Sequence, residues 1–327
     1  MTDQASQSEK RTKQSLARRL VKFGLISLVL LTVAAGALAA GAYYYVDSSF
    51  HAPGRPAVGG AEETVFNVPA GQGVSTIAER LALNWLISDP LIFRLGVMLN
   101  GAASELKAGE FAIPSGASMF EIMEILRSGK SILHRVTIPE GWTTAQIFRE
   151  VEANKVLVGK IQSAPAEGDL LPETYLFQRG TSRQEIINRM QAEHDELLDR
   201  LWQNRAENLP FSTKEEAVIL ASIVEKETGI ASERPRVAAV FVNRMRRGMR
   251  LESDPTIIYG LTGGEPLGRG LRQSELAKVT PYNTYESDGL PPTPIANPGR
   301  DSLAAVLNPP DTKELLFVAA GTGGHVF

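Results

Sequence analysis

The chain has 327 residues, a net charge of −3 and no cysteine. This length is sufficient for two or three folded units. Acidic and basic residues are mixed along most of the sequence, so nothing indicates a nucleic-acid partner. Without cysteine the protein has no disulfide bridge, no cysteine-bound metal and no cysteine nucleophile.

The N-terminus predicts a membrane anchor. A polar, basic tail over 1–22 precedes an uncharged stretch over 23–46, which is long enough to cross a hydrocarbon core of ~30 Å. The basic tail should stay in the cytoplasm, with Tyr43–Tyr45 at the far interface and the rest of the chain outside, in the periplasm. The alternative is a signal peptide cleaved after Ala37-Leu38-Ala39. The stretch is longer than a normal signal core, which favours the anchor.

A linker over 47–60 and a small unit over 61–130 are predicted next. The unit has the order strand, helix, helix, strand, which resembles the LysM sugar-binding module. Its elements are predicted at Val65–Val68, Ser75–Leu83, Pro90–Leu99 and Gly109–Ile113. Trp85 lies within this unit, and we expect it to be a core residue rather than a surface for stacking on sugar.

A connecting α/β region over 131–211 is predicted between this unit and the C-terminal domain. A strand is predicted at His134–Ile138, and a helix at Trp142–Glu152 follows a threonine cap. Glu167–Phe177 contains proline and is predicted to be a loop. Ser182–Trp202 has the apolar spacing of a long amphipathic helix.

A catalytic domain is predicted over 212–327, and its first helix is the most informative stretch of the sequence. Ser212 and Glu215 form a capping box for a helix over Thr213–Glu227. The run from Ala217 is apolar on every side, so the helix must be buried, and it ends at Glu225 and Glu227. Burial and the negative end of the helix dipole both raise the pKa of a carboxyl group, as a general acid near neutral pH requires.

Glu225 and Glu227 cannot act side by side. Two positions on a helix differ by ~200°, so the two side chains face nearly opposite directions. We expect one to face a cleft and the other to form a structural ion pair, with Arg244 or Lys226 as its partner. Arg244 lies near the end of the next predicted helix, Glu233–Met245, for which Ser232 is the predicted cap.

The remaining candidates lie further along the chain. Asp254-Pro255 is typical of a cap followed by the first turn of a short helix, and Thr256 follows it. Asn283 and Tyr285 belong to a proline-rich loop with aromatic and amide side chains, which suits either a sugar site or a surface loop. The histidines His134, His194 and His325 lack metal-ligand spacing, so no metal site is predicted.

Several of these segments together resemble one family. ASIVEKET is followed by SERPRVAAVFVNRMRRGMRLESDPTIIYG, TPYNTY and GLPPTPIANPG, and preceded by EGDLLPETY. In this order they closely resemble the YceG-like (MltG) endolytic murein transglycosylases. The family chain continues beyond the GGHVF segment, so we expect this sequence to be truncated at Phe327 or the cleft to lack its C-terminal edge.

The resemblance implies an α+β protein with an N-terminal transmembrane helix, a LysM-like unit and a mixed α/β catalytic domain. It implies a lyase that cuts the β-1,4 bond between N-acetylmuramic acid and N-acetylglucosamine in nascent peptidoglycan strands. The products carry 1,6-anhydro ends, and no cofactor is needed. Glycan strands and peptidoglycan synthases are the expected partners at the inner membrane.

Glu227 maps to the family's catalytic glutamate, with Glu225 as second choice. The expected substrate-binding residues are Glu225, Asp254, Thr256, Asn283 and Tyr285. Two other functions stay open. A muramidase would hydrolyse the same bond with Asp254 or Glu252 as second carboxylate. A non-catalytic tether would bind glycan through the LysM-like unit alone.

Overall fold

A computed structural model of the chain describes residues 3–321 and 324–327, with side chains described from residue 22 onward. Helices and strands are mixed, as predicted. The chain divides into two compact units, Met1–Ile132 and Leu133–Phe327. The finer predicted boundaries, including the start of a catalytic domain at 212, stay predictions.

The first unit begins with one long helix, α1 (Asp3–His51). Its part from Lys22 to His51 contains an 18-residue stretch with a mean hydropathy of 2.3 and is long and apolar enough to cross a membrane. The predicted linker was wrong at its start, because residues 47–51 are helical and Phe50 is buried. No proline, which would break a helix, occurs before Pro53.

The rest of the first unit has the predicted order of strand, two helices and strand. Its elements are β1 (Glu63–Val68), α2 (Val74–Leu83), α3 (Pro90–Leu99), β2 (Gly109–Pro114) and a following helix α4 (Met119–Ser128). β1 and β2 pair antiparallel with Phe66 opposite Phe111, and both rings lie in the core beneath the helices. The likeness to a LysM module stays a prediction.

Trp85 does not lie in this core, contrary to expectation. It follows α2 with a φ of 62° and is 63 % exposed. A left-handed backbone is costly for a large side chain. Leu86 and Ile87, which come next, are buried instead. The turn therefore places two aliphatic side chains inside the unit and the indole outside.

The second unit contains the remaining elements. They are β3 (Leu133–Thr137), α5 (Thr144–Ala153), β4 (Thr174–Gln178), α6 (Arg183–Gln203), α7 (Lys214–Glu227), α8 (Arg234–Arg246), α9 (Asp254–Thr262), α10 (Gln273–Leu276), α11 (Arg300–Leu307), β5 (Val318–Ala319) and β6 (His325–Val326). β3 pairs antiparallel with β4, and β5 with β6. The predicted loop Glu167–Phe177 was wrong at its end, where alternating Tyr175 and Phe177 are buried in β4.

Helix α7 lies at the centre of the second unit. Every residue from Ala217 to Glu225 is buried, and α8, α9 and α11 pack around the helix. Its cap is one residue later than predicted, since Thr213 and Glu216 form the capping box. Helix α8 starts after Glu233 without a side-chain cap, so the predicted Ser232 cap was wrong. The packing fixes the direction in which the end of α7 points.

Candidate active site

The last turn of α7 separates its two glutamates, as the helical spacing predicts. Glu225 is buried and Glu227 is half-buried. The two carboxylates have no hydrogen-bond partner in common among the described residues. They therefore occupy two different environments.

Glu225 lies in a structural ion pair. Its Oε1 accepts a hydrogen bond from Arg234 Nη2 at 2.9 Å, and its Oε2 accepts bonds from the Gly299 amide at 2.9 Å and the Ser302 hydroxyl at 2.8 Å. The expected partners Arg244 and Lys226 were wrong. Arg244 pairs with Glu252 at 3.0 Å, and Lys226 donates to the Gly141 carbonyl.

Arg234 joins Glu225 to a second carboxylate. The same Nη2 donates to Glu140 at 2.7 Å, and Asp301 lies 3.5 Å from Nη1. Gly299 allows this approach, because a Cβ on it would lie 1.9 Å from Glu140 Oε1. Both oxygens of the buried Glu225 carboxyl group therefore have hydrogen-bond partners. This cluster accordingly holds α7, α8 and α11 together.

The carboxyl group of Glu227 has fewer hydrogen-bond partners than that of Glu225. Its Oε1 accepts one hydrogen bond from the Ser253 hydroxyl at 2.5 Å. Burial raises the pKa of Glu227 to about 7, and the negative charge of Asp254 raises it further, while Ser253 and His325 act in the opposite direction. A carboxyl group with this pKa can both give and take a proton near neutral pH.

Asp254 and Tyr285 stand next to this carboxyl group. Asp254 is the first residue of α9, and its Oδ1 accepts a hydrogen bond from the Tyr285 hydroxyl at 2.8 Å. Asp254 is not the cap that the sequence predicted, because Ser253 holds the N-cap position. Burial raises the pKa of the Tyr285 phenol, and its bond to Asp254 adds to that.

Thr256 and Asn283 shape the loop rather than border open space. Both are fully buried. Thr256 donates to the Ser253 carbonyl at 2.7 Å and lies 3.0 Å from the Thr284 hydroxyl. The Asn283 amide donates to the carbonyls of Leu276 and Lys278, and its oxygen accepts the Tyr285 amide. Direct contact of Thr256 or Asn283 with a substrate stays a prediction. Their hydrogen bonds support the backbone of Ser253 and Tyr285.

His325 approaches Glu227 from the C-terminal end of the described chain. Its Nδ1 lies 2.8 Å from Glu233 Oε2, and its amide donates to Glu233 Oε1. Thr228, the residue after Glu227, donates to the same Glu233 carboxylate at 3.2 Å. Glu233 thus connects the end of α7 to β6.

Two cavities lie along α7. One of about 370 Å³ borders its C-terminal end, where Trp142, Lys226, Pro255 and Tyr259 are among the lining residues. The other, of about 510 Å³, lies near the N-terminal end, among Lys214, Glu215 and Val218. Neither lining includes a predicted site residue, but Lys226 and Pro255 of the smaller cavity are the chain neighbours of Glu227 and Asp254. The smaller cavity is therefore the better candidate for part of a substrate cleft.

Sequence reasoning missed Ser253, Arg234 and Trp142. A serine directly before Asp-Pro is itself a good helix cap, and that signal was available. Arg234 shares the start of α8 with Pro235, where the sequence does not show which carboxylate it reaches. Among the described residues no group of three or more His, Asp or Glu is placed to hold a metal ion.

Comparison with known proteins gives a consistent result. The model of the YceG-like family matches residues 66–327. The endolytic murein transglycosylase of Bacillus subtilis is 30% identical over 293 residues, which cover 80% of this chain and 80% of that protein. The protein of the same name from Streptococcus pneumoniae is 28% identical over 308 residues, and the match spans 80% of this chain but only 55% of that longer protein.

A solved structure is also similar. It is a yceG-like protein from Listeria monocytogenes, 28% identical, with 80% of this chain and 94% of that chain covered and a TM-score of 0.47. The family match covers most of the sequence, including every residue of the candidate site. The chain belongs to the YceG-like family.

Proposed function

We propose that the chain is a membrane-anchored lytic transglycosylase of peptidoglycan. It cuts the β-1,4 bond between N-acetylmuramic acid and N-acetylglucosamine within nascent strands and so ends their elongation. The names of the relatives support the reaction class. The observation that carries the proposal is Glu227, a half-buried carboxyl group at the end of a buried helix with its pKa raised to about 7.

In the proposed reaction one carboxyl group acts twice. Glu227 begins protonated and gives its proton to the glycosidic oxygen as the bond from that oxygen to the muramyl C1 breaks. The C6 hydroxyl of the same muramyl ring then forms a bond to C1, and its proton returns to the Glu227 carboxylate. No water is consumed, and the attacking oxygen has a high effective concentration because its own ring holds it in place.

The neighbours of Glu227 support these steps. The Ser253 hydroxyl occupies Oε1, so we assign the acidic proton to Oε2. The Asp254 charge disfavours ionisation of Glu227 and keeps the acid form available. Trp142 and Tyr259 line the adjacent cavity and offer aromatic surfaces for sugar rings. Glu225 supports the site structurally through its ion pair with Arg234. Thr256 and Asn283 hold the loop that carries Tyr285.

Hydrolysis by a muramidase is the second candidate, because Asp254 lies near enough to influence Glu227. The other candidate carboxylate, Glu252, is paired with Arg244. Cleavage of purified glycan strands in oxygen-18 water separates the two reactions. The transglycosylase gives ends that are lighter by one water and carry no label. One labelled oxygen per cut rejects the transglycosylase and supports the muramidase.

A non-catalytic tether does not explain the raised pKa of Glu227, because a binding module needs no protonated carboxyl group at that position. The LysM-like unit is proposed to hold glycan for the active site instead. Peptidoglycan synthases are the proposed protein partners, because they produce the nascent strands. Release of soluble fragments from purified strands excludes a tether, and complete absence of release supports one.

We further propose that α1 anchors the protein in the inner membrane with its N-terminus in the cytoplasm. The 30-residue helical part from Lys22 to His51, with its uncharged stretch over 23–46, and the basic tail support this topology. Protease added to spheroplasts should digest the part after residue 51 and leave the tail. Protection of that part, or a mature chain that begins near Ala40, contradicts the anchor.

A further inference from the structure

Helix α3 in the first unit has almost no polar face. Ile92, Phe93, Gly96 and Val97 point into the core. The positions left on the outside form the α3 outer face, which consists of Leu91, Arg94, Leu95, Met98 and Leu99. The spacing of Leu91, Leu95 and Met98 places them in one stripe along the helix. Arg94 is the one charged residue among these five, and Met98 is 65 % exposed.

The turn before α3 extends this apolar surface. Leu83 and Trp85 are both strongly exposed, and together with Pro90 they line a shallow cavity. The left-handed backbone of Trp85 directs its indole away from the core, and the Arg55 guanidinium lies 5.0 Å from the ring centre. A contiguous exposed apolar patch of this kind marks a surface that contacts something other than water.

The α3 outer face is fixed relative to α1. Phe50 of α1 is buried against Phe93 of α3, with ring centres 6.2 Å apart. Gly96 provides the room, because a Cβ on it would lie 2.3 Å from the Phe50 ring. Val46, one turn earlier on α1, packs against the same core. The last two turns of α1 therefore hold α3 beside them.

The length of α1 indicates how far this contact lies from the bilayer. The 30 residues from Lys22 to His51 extend ~45 Å, which equals a whole bilayer of about 40–45 Å with its headgroup layers. The turns over 46–50 would then lie in the outer headgroup layer. Helix α3 packs directly on these turns and so lies at the same depth.

We propose that the α3 outer face, together with Leu83 and Trp85, lies in the outer headgroup layer of the membrane that α1 crosses. The occupant of the patch is lipid, because the patch lies on a helix that packs on α1 at the depth where the apolar stretch of α1 ends. Tryptophan and arginine suit this layer, since one end of each side chain is apolar and the other is polar. The unit thus rests on the bilayer, as an interfacial amphipathic helix does. This inference rests on the proposed anchoring.

The absence of cysteine allows a direct test on the full chain. Met98→Cys, Val65→Cys and Leu31→Cys are each labelled with an environment-sensitive fluorophore and reconstituted in nanodiscs. Quenching is measured with lipids brominated near the headgroup end and near the tail end of the acyl chains. Val65 is the matched control, because it is 55 % exposed on the face of β1 opposite the helices.

The proposal expects a blue-shifted emission for the Met98 probe and a loss of intensity that is greater with bromine near the headgroup. The Val65 probe should show neither effect, and the Leu31 probe should be quenched best by bromine near the tail end. Quenching at Leu31 without quenching at Met98 overturns the inference and leaves the anchor intact. No quenching at Leu31 overturns the anchor itself.

Discussion

Glu225 and Glu227 are two positions apart in the chain, but their surroundings differ strongly. Both lie in the last turn of α7, and the buried core reaches both. Glu225 receives a guanidinium, a backbone amide and a hydroxyl. Glu227 receives one hydroxyl and has the negative charge of Asp254 nearby. The comparison teaches that burial alone does not make a carboxyl group an acid catalyst, because its partners decide whether the charge is compensated.

The largest expected effect is on turnover. Glu227→Gln keeps the shape of the side chain but removes the transferable proton, so we expect turnover to fall by ~10²-fold or more. Release of anhydro-ended fragments from purified glycan strands measures this. The thermal unfolding midpoint should not decrease, since Gln can still accept the Ser253 hydroxyl. An active Glu227→Gln together with an inactive, folded Glu225→Gln reverses the roles of the two residues.

The next effect concerns stability and the other glutamate. Glu225→Ala leaves Arg234 without its most buried partner and leaves Gly299 and Ser302 without an acceptor. Breaking a buried ion pair in this way costs about 3–5 kcal/mol in the free energy of unfolding. Urea unfolding measures the loss, and Glu215→Ala, on the exposed side of the same helix, should change little. Equal stability of the two variants contradicts the role of the Arg234 cluster.

Much of the fold was predictable from local patterns. The order of strands and helices in the first unit and the Thr143 cap of α5 follow from residue types a few positions apart. The errors arose where tertiary packing decides. Trp85 is outside because Leu86 and Ile87 fill the core, and β4 forms because Tyr175 and Phe177 meet β3 and α6.

The site was predictable only in its central residue. The all-apolar run of α7 is a strong local signal, and it led directly to Glu225 and Glu227. Their partners lie far away along the chain, since Gly299 and Ser302 are more than seventy positions from Glu225. Helical spacing gives the direction of a side chain but not what it meets. The hydrogen bonds from Arg234 to Glu225 and from Ser253 to Glu227 were for that reason not predictable from a single sequence.

A third, smaller effect distinguishes the two glutamates by pH. The folded-state pKa of Glu227, about 7, lies above the unfolded-state value of about 4.3. Between these values the folded state binds more protons, so the free energy of unfolding decreases as pH rises from about 4.3 to about 7. Relative to Glu227→Gln, the wild-type chain should lose on the order of 1–3 kcal/mol between pH 4 and pH 8. A difference between the two chains that does not vary with pH contradicts the raised pKa.

The smallest effects concern the two neighbours that adjust the pKa of Glu227 in opposite directions. The Ser253 hydroxyl donates to the carboxylate and favours its charged form, so Ser253→Ala should raise the pKa. The Asp254 charge disfavours that form, so Asp254→Asn should lower it. Each shift should be about one pH unit or less, because one unit corresponds to ~1.4 kcal/mol and each change removes a single interaction.

Carbon-13 NMR of the labelled Glu227 carboxyl measures both pKa values whether or not the variants are active. Because the proton must be on Glu227 when the glycosidic bond breaks, the rate of an active variant should decline with rising pH at its own shifted pKa. Arg244 keeps Glu252 paired in both variants, so Glu252 should not replace the missing group. Shifts of the same sign in the two variants would mean that a general change in burial, rather than the hydroxyl and the charge, controls Glu227.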